Sequence, residues 1–254
     1  MGVHGRRSLQ SVGVIFMSEY GKYRDWKGWS EKDFAQTSRT DDVYFAQEIR
    51  RAGLPARAGL AVLEIGFGNG RFAGWAKKQG WRYIGTEQDP ALVARARAAG
   101  FDANPAATPL EQLAGAGTLG LVVAFDVLEH LTIDDGIELL RSARKLLAAD
   151  GIFLARFPSG DSPFGRAIQH GDRTHRTAIG SGMVQQMALE SGFDVARIAA
   201  PALPIFGVGL VSGFRRALIR AIRAAIGSVL RKAYFDNQPR VVDPNMIIVL
   251  RRSG

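Results

Sequence analysis

The chain has 254 residues, and its 46% hydrophobic, 22% charged and 9% aromatic content is that of an ordinary globular protein, which excludes a disordered or low-complexity chain. It contains no cysteine, which excludes a disulfide scaffold, an iron–sulfur cluster, a thiolate metal site and a cysteine nucleophile. The formal charge of +9 falls to +3 without the six basic side chains of residues 215–232, a segment with no acidic residue, so the charge indicates a local anionic partner and disfavours nucleic acid.

The N-terminal residues 1–40 are interpreted as an arm or lid, because residues 18–34 are polar and rich in aromatic side chains. The alternative is that these aromatics contact the substrate. The apolar stretch of residues 12–17 is too short for a signal peptide, and Met17 is a second plausible start beside Met1. No apolar run reaches the ~18 residues of a membrane-spanning helix, so we expect a cytoplasmic protein.

From residue 41 the hydrophobic pattern alternates between helices and short strands. A helix is predicted over residues 41–52, followed by a linker from Pro55 to Gly59. Strands are predicted at residues 61–65, 83–86, 101–104, 119–125, 152–157, 193–198 and 246–250. Helices are predicted from the glycine loop to about Gly80, at 91–99 behind an Asp89 cap, after Thr132, where Ile137, Leu140 and Leu147 share a face, and at 181–191. This alternation predicts a mostly parallel sheet whose ligands lie beyond the carboxyl ends of the strands.

The loop after the first strand reads Glu-Ile-Gly-Phe-Gly-Asn-Gly over residues 64–70. Glycines let the backbone turn sharply and let a ligand approach closely. The loop is neither a dinucleotide fingerprint, since Arg71 stands where the third glycine is required, nor a Walker loop, since no Gly-Lys-Ser/Thr follows. Glu87 ends the second strand, where an acid can accept both hydroxyls of a ribose.

These motifs, together with Phe-Asp-Val-Leu-Glu-His at residues 125–130, stand in the order and spacing of the class I S-adenosylmethionine-dependent methyltransferases, which the chain resembles over residues 41–200 and its last strand. The resemblance implies a Rossmann-like, doubly wound α/β fold with a seven-stranded sheet, mostly parallel with the last strand antiparallel. It implies S-adenosylmethionine as the cofactor, and a methyltransferase domain made of residues 41–200 and 239–254.

The resemblance also implies the cofactor-binding residues. Gly66, Gly68 and Gly70 would pass close to the methionine part, Glu87 would hold the ribose hydroxyls, and Asp126 would lie near the sulfonium. Phe67, Gln88 and Glu64 complete this set, although Glu64 can also serve only to orient the loop. The chain departs from the family at residues 105–108, where Pro-Ala-Ala-Thr replaces the common Asp-Ala pair that contacts adenine, and Asp102 is a poor substitute because it lies inside a strand.

The acceptor side is expected in the long polar segment after the fifth strand, because loops of this length in compact domains are usually functional. Our hypothesis is that His175 or His170 acts as a general base, with Asp172 orienting it. The alternatives are structural hydrogen bonding and metal binding. The group of Asp126, Glu129 and His130 is similar to a pattern of the ubiquinone-biosynthesis O-methyltransferases, where a metal assists, but we predict no metal here.

Residues 201–238 form an insertion before the last strand, in which apolar residues recur at every fourth position from Phe214 to Leu230 with arginines beside them. This pattern predicts an amphipathic basic helix. The helix is either a cap or dimer interface, or a surface that binds an anionic membrane through residues 205–232. The sequence does not predict the oligomeric state.

The motifs after the fourth and fifth strands also resemble a bacterial subgroup linked to polysaccharide or lipopolysaccharide assembly. The sequence therefore predicts a cytoplasmic methyltransferase, peripheral at the inner membrane if the basic helix binds lipid, that methylates an oxygen of a glycan, a lipid-linked precursor or another small molecule. The alternatives are a quinone-type aromatic O-methyltransferase and a cofactor-binding interaction protein with little turnover.

Overall fold

The structure is a computed structural model that describes residues 21–29, 34–54, 58–236, 238 and 240–253. The interpretations of the first 20 residues, including the start at Met17 and the lack of a signal peptide, lie outside the described residues. The same holds for Pro55 in the predicted linker.

The fold is built on one sheet of seven strands, and the predicted fold class is confirmed. The strands are β1 Ala61–Ile65, β2 Arg82–Glu87, β3 Asp102–Pro105, β4 Leu119–Phe125, β5 Leu147–Pro158, β6 Phe193–Ala199 and β7 Asn245–Arg252. Their order is β3-β2-β1-β4-β5-β7-β6, and β7 runs antiparallel to both β5 and β6 while the other neighbours pair in parallel. The strand order reverses at β1 and β4, which is the point where such sheets bind ligands.

The helices cover both faces of this sheet. Residues 21–27 are helical (α1), and the other helices are α2 Arg39–Arg51, α3 Arg71–Lys78, α4 Pro90–Ala98, α5 Ile133–Leu146, α6 Arg166–Gln169, α7 Ser181–Ser191 and α8 Leu210–Tyr234. The predicted caps are present, since the side chain of Asp89 accepts the N–H of Ala91 and that of Thr132 accepts the N–H of Asp135. Within the described ranges, none of these helices is long and apolar enough to cross a membrane.

One residue was assigned to the wrong element. Leu147, expected on the α5 face beside Ile137 and Leu140, is the first residue of β5, where its extended backbone pairs with Leu119 of β4. Leu147 is fully buried in the same core cluster as Ile137 and Leu140, so its hydrophobicity serves the core in either element. Hydrophobic periodicity alone could not distinguish the end of α5 from the start of β5.

The sheet is buried on both faces, which explains its nearly continuous apolar strands. One core cluster includes the helix α5 and α7 side chains, and the other gathers Phe45 of α2 with Phe72 and Trp75 of α3. Every residue of β1 is buried, including Glu64. Because both faces are filled, room for ligands lies at the carboxyl ends of the strands, where the glycine loop and Glu87 stand.

Candidate functional site

The glycine loop adopts a conformation that only glycine tolerates well. Gly66, Gly68 and Gly70 all have φ values between +53° and +70°, in the left-handed region. A Cβ at Gly66 would lie 2.6 Å from the Val127 side chain, and one at Gly68 would lie 2.9 Å from the indole of Trp29. The neighbouring side chains therefore pack so closely against the loop backbone that a Cβ at these positions would not fit.

Glu87 is fixed against this loop. One carboxylate oxygen accepts the N–H of Gly68 at 2.8 Å, and the other accepts the N–H groups of Gln88 at 2.7 Å and Asp89 at 3.1 Å. Burial raises the pKa of Glu87, while these backbone hydrogen bonds oppose the rise. The carboxylate thus holds a set position at the end of β2, and its Oε2 oxygen, which accepts only the N–H of Gly68, keeps a lone pair for a ligand's hydroxyl.

Glu64 is a buried acid, and it accepts the hydroxyl hydrogen of Tyr83 at 2.6 Å. Burial raises its pKa to about 8, so Glu64 is protonated in the neutral range. The contact supports the architectural role that the sequence left open beside cofactor binding. Phe67, in the loop, is buried and packs edge-on against Phe34.

Asp126 follows β4 with φ +57°, an unusual value for a residue other than glycine. Its carboxylate pairs with Arg156 of β5, whose Nε lies 3.0 Å from Oδ1. The Arg156 guanidinium also stacks over Phe125 and donates to the hydroxyl of Tyr44 at 3.2 Å. The carboxylate of Asp126 is therefore already paired with a cation at the predicted cofactor site.

The helix α1 and the residues after it cover the glycine loop and reach both sides of the site. Trp29 contacts Gly68, and Phe34 occupies the space beside Gly70, where a Cβ would lie 2.7 Å from its ring. Arg24 pairs with Asp89 at 3.2 Å on the Glu87 side. Residues 21–29 and 34–40 of the arm therefore pack on the glycine loop, and the role of the arm as a lid stays a prediction.

A cluster of titratable and hydroxyl side chains lies where the sequence predicts the acceptor side. It joins Glu129 and His130, in the short turn after β4, to Asp172, Thr174 and His175 in the loop after β5. Two backbone hydrogen bonds hold the loop to the turn, since the N–H groups of residues 176 and 177 donate to the carbonyl of Glu129 at 2.7 and 3.1 Å. The two imidazole rings pack edge-on, with centroids 4.7 Å apart.

Of the three predicted acceptor residues, the structure brings Asp172 and His175 into this cluster but not His170. Asp172 lies 3.9 Å from His175 Nε2, but its hydrogen bonds come from Tyr23 and from Thr174, and its ion pair is with Lys27 at 3.4 Å. Although partial burial opposes it, hydrogen bonding from Thr174 holds the pKa of Asp172 at about 2. His170 is exposed at the end of α6, and within the described ranges its imidazole takes no part in these contacts.

Sequence reasoning missed that Glu129 and His175 come together, as well as the contacts of Tyr23 and Lys27 with Asp172. Burial raises the pKa of Glu129 to about 8, and Asp126 adds to the rise. Burial lowers the pKa of His130, assisted by His175. Glu129 and His175 share no sequence spacing, so the one available signal for their meeting was that each follows the carboxyl end of a central strand, and Tyr23 and Lys27 gave no such signal.

The helix α8 confirms the predicted amphipathic basic helix, but its apolar side faces outward. Its exposed apolar side chains, called here the apolar face of α8, are Leu210, Val211, Phe214, Leu218, Ile222, Ile226 and Val229. At 3.6 residues per turn these lie on one half of the helix, and Arg216 and Arg223 lie on the other. Arg216 donates to the carbonyl of Pro204 at 3.2 Å, and Arg223 pairs with Asp243 at 2.9 Å, so the arginine side contacts the body.

Comparisons with known proteins agree with this fold. A family described as a methyltransferase domain matches residues 38–197. A SAM-dependent methyltransferase structure from Archaeoglobus fulgidus superposes with a TM-score of 0.59 at 18% identity, covering 87% of this chain and 97% of that one. No curated protein sequence matches the chain.

Two further solved structures have the same fold. A S-adenosylmethionine-dependent methyltransferase from Mesorhizobium loti has a TM-score of 0.53 at 17% identity, covering 81% of this chain and 96% of that one. A Burkholderia thailandensis 1,6-didemethyltoxoflavin-N1-methyltransferase, solved with its substrate and S-adenosylhomocysteine, has a TM-score of 0.53 at 14% identity, covering 100% of this chain and 94% of that one. At these identities the likeness concerns the fold.

Proposed function

Since the chain belongs to the methyltransferase-domain family and is an S-adenosylmethionine-dependent methyltransferase, we propose that it methylates an oxygen of a glycan or a lipid-linked precursor at an anionic membrane surface. The family supplies the reaction and the cofactor. The observation that carries the acceptor class is the outward apolar face of α8, which lies beside arginines and has no acidic neighbour on its helix.

The residues of the glycine-loop site fit the cofactor, S-adenosylmethionine. Gly66, Gly68 and Gly70 leave no room for side chains, and the Glu87 carboxylate stands 2.8 Å from the Gly68 nitrogen, within reach of a ribose bound along the loop. We assign Glu87 to the ribose hydroxyls and place Gln88, Phe67 and Glu64 around the same pocket, as expected from the sequence. The cofactor brings the electrophilic methyl group, so the protein's task is to align the acceptor.

For the acceptor, we assign His175 as the residue that acts on the hydroxyl to be methylated. Its Nδ1 lies 3.0 Å from the carbonyl oxygen of Gln169, which can only accept, so Nδ1 carries a hydrogen and, in the neutral imidazole, Nε2 carries the lone pair. The buried Asp172 lies 3.9 Å from that Nε2. His170 remains a second candidate, but its exposed position gives it no fixed orientation toward the cluster.

The apolar face of α8 fits an anionic lipid surface better than a second copy of the chain. The helix carries six basic residues and no acid, and two of them, Arg216 and Arg223, contact the body, so pairing two copies through the helix would bring the other eight positive charges near one another. An anionic surface instead attracts them, with about 1 kcal/mol from each basic residue near it. Phe206, 84% exposed just before the helix, extends the surface that can enter the lipid.

Co-sedimentation with vesicles tests this assignment. We expect the full chain to bind phosphatidylcholine vesicles that contain phosphatidylglycerol, to release at high salt, and to ignore pure phosphatidylcholine. Ile222→Asp should weaken binding roughly tenfold or more, and Leu218→Asp/Ile222→Asp should abolish it. Ala224→Asp adds the same charge on the other side of α8 and is the matched control.

Equal loss in the Ile222 and Ala224 variants would reduce the effect to charge alone and contradict the role of the apolar face. A folded chain that ignores anionic vesicles would make α8 a cap or an interface between copies. The acceptor search would then move to soluble sugars and small aromatic compounds.

A further inference from the structure

We propose that Glu129, His130 and His175 form a binding site for one first-row divalent transition-metal ion. Each of the three side chains offers one ligand atom, and these atoms all lie within 4.8 Å of one another. The sequence suggested a different set and predicted no metal. In the structure Asp126 is paired with Arg156, and His175, from the loop after β5, takes the third place instead.

The two imidazoles are oriented by contacts that such ligands commonly have. His175 donates its Nδ1 hydrogen to the carbonyl of Gln169, which leaves Nε2 unprotonated and 3.9 Å from Glu129 Oε1. The Thr174 hydroxyl gives its one hydrogen to Asp172 at 2.5 Å and therefore accepts from His130 Nδ1 at 3.0 Å. Metal-binding histidines usually donate their second N–H in this way to a carbonyl, a carboxylate or a hydrogen-bonded chain that ends in one.

The carboxylate of Glu129 supplies an independent observation that points to a cation. Glu129 is 1% exposed, and its Oε2 is buried without a hydrogen-bond partner among the described residues. Leaving a buried carboxylate oxygen unpaired is unfavourable, whereas a bound cation would satisfy it. The acid does not reach His175 for a direct hydrogen bond, because 3.9 Å is too long.

The donor set and its dimensions indicate the class of ion. Two imidazoles and one carboxylate suit zinc, iron(II), manganese or cobalt, whereas magnesium prefers oxygen ligands. Ligand atoms bonded at about 2.0–2.2 Å in a tetrahedral arrangement lie ~3.4 Å apart. The Glu129 and His175 atoms, 3.9 Å apart, must therefore approach by about 0.5 Å, and no pair in the cluster must approach by more than about 1.4 Å.

Three protein ligands leave a position open for the acceptor, and this step rests on the proposed function. A hydroxyl bound there would lose its proton more easily, which is how a cation generates an oxygen nucleophile near neutral pH. His175 would then act on the acceptor through the ion. The oxygen–hydrogen bond would break with its proton passing to solvent. The oxygen lone pair would form the bond to the methyl carbon as the methyl–sulfur bond breaks, and the electron pair of that bond would stay on the sulfur of the departing S-adenosylhomocysteine.

Metal titration tests the site without any need for the acceptor. The full chain, stripped with a chelator and dialysed, is titrated with Zn²⁺ by calorimetry and with Co²⁺ by its visible absorption spectrum. We expect one ion per chain and a cobalt spectrum with nitrogen ligation. His175→Ala, His130→Ala and Glu129→Gln should each weaken binding by at least about tenfold, and His170→Ala, a histidine outside the cluster, should not.

No saturable binding by the stripped chain, or equal affinity in wild type, His175→Ala and Glu129→Gln, would overturn the site. Circular dichroism and S-adenosylhomocysteine binding, measured on every variant, show that each one is folded. These controls also separate the two proposals. Metal binding without methylation of any oxygen acceptor would contradict the proposed function alone, and cofactor-dependent O-methylation by a chain that binds no ion would contradict the metal site alone.

Discussion

Tyr23 of the N-terminal helix donates its hydroxyl to Asp172, in the loop after β5, at 3.0 Å. The next residue of the same helix, Arg24, pairs with Asp89 after β2. One short helix therefore links the part of the site assigned to the cofactor with the part assigned to the acceptor. Burial and the neighbouring Asp172 raise the pKa of Tyr23, so the phenol keeps its hydrogen for this bond in the neutral range.

We expect Tyr23→Phe to loosen α1 without changing the core. Removing a hydrogen bond of about 1 kcal/mol should raise the population of the open arm about fivefold. Trypsin reports this opening through its cleavage rate after Arg24 or Lys27, since cleavage follows the open population when closing is fast. Tyr234→Phe, at an exposed tyrosine of α8, is the matched control. An unchanged rate in Tyr23→Phe would show that the bond does not hold the arm.

Gly68→Ala should weaken S-adenosylhomocysteine binding more than its backbone strain explains. A left-handed alanine costs about 1–2 kcal/mol at either Gly68 or Gly80, but only at Gly68 would the new Cβ meet a side chain, the indole of Trp29 at 2.9 Å. We expect Gly80→Ala to lower stability by that amount and to bind S-adenosylhomocysteine normally, and Gly68→Ala to bind roughly tenfold more weakly. Calorimetry measures the S-adenosylhomocysteine affinity of each variant, and denaturant unfolding measures its stability. Equal affinity in Gly68→Ala and Gly80→Ala would contradict the loop assignment.

Glu87→Gln should reduce S-adenosylhomocysteine affinity by about tenfold, because a carboxylate accepts hydroxyl hydrogen bonds more strongly than an amide does. The amide has a single acceptor oxygen, so it can accept either the N–H of Gly68 or those of Gln88 and Asp89, and part of the loss should come from a weaker hold on the loop. Asp102→Asn is the control at the neighbouring strand, where the acid faces Asn104 and is exposed. If Asp102→Asn weakened binding and Glu87→Gln did not, the ribose assignment would be wrong.

The fold could be predicted because its signals are local. The strands β1 and β4 were predicted at their observed bounds, since each is a short apolar run between turn residues. The cap residues Asp89 and Thr132 predicted where their helices begin. Leu147 was misplaced because it is buried in either element, and only pairing across the sheet with Leu119 decides between them.

The site could be predicted only in part, because its contacts join distant segments. The glycine loop and Glu87 are contiguous with strands whose ends the sequence marks, so their meeting follows from parallel pairing of β1 with β2. The contact of His175 with Glu129 depends on the path of the loop after β5, and no periodic pattern in the sequence predicts that path. The contact of Trp29 with Gly68 likewise depends on how the arm folds back onto the domain. The aromatic content of the arm indicated only that the arm packs on the domain or contacts the substrate, not which residues it meets.

The protonated state of Glu64 should make the stability of the protein depend on pH. The pKa of this buried carboxyl is about 8 in the folded chain, against an ordinary value of 4.5. Between these values the folded chain holds a proton that the unfolded chain has released, so raising the pH favours unfolding throughout this window. Glu64→Gln keeps an oxygen to accept the Tyr83 hydroxyl at the same place but cannot ionise.

We therefore measure the free energy of unfolding in urea between pH 5 and pH 8. It should fall less steeply with pH in Glu64→Gln than in the wild type, and the difference in slope should correspond to about one bound proton. The exposed Glu138→Gln removes the same type of group from the surface of α5 and should leave the wild-type slope unchanged. Parallel curves for wild type and Glu64→Gln would mean that Glu64 is ionised in the folded chain. Its hydrogen bond from Tyr83 would then be charge-assisted, and the buried charge would need a cation that the described residues do not place beside it.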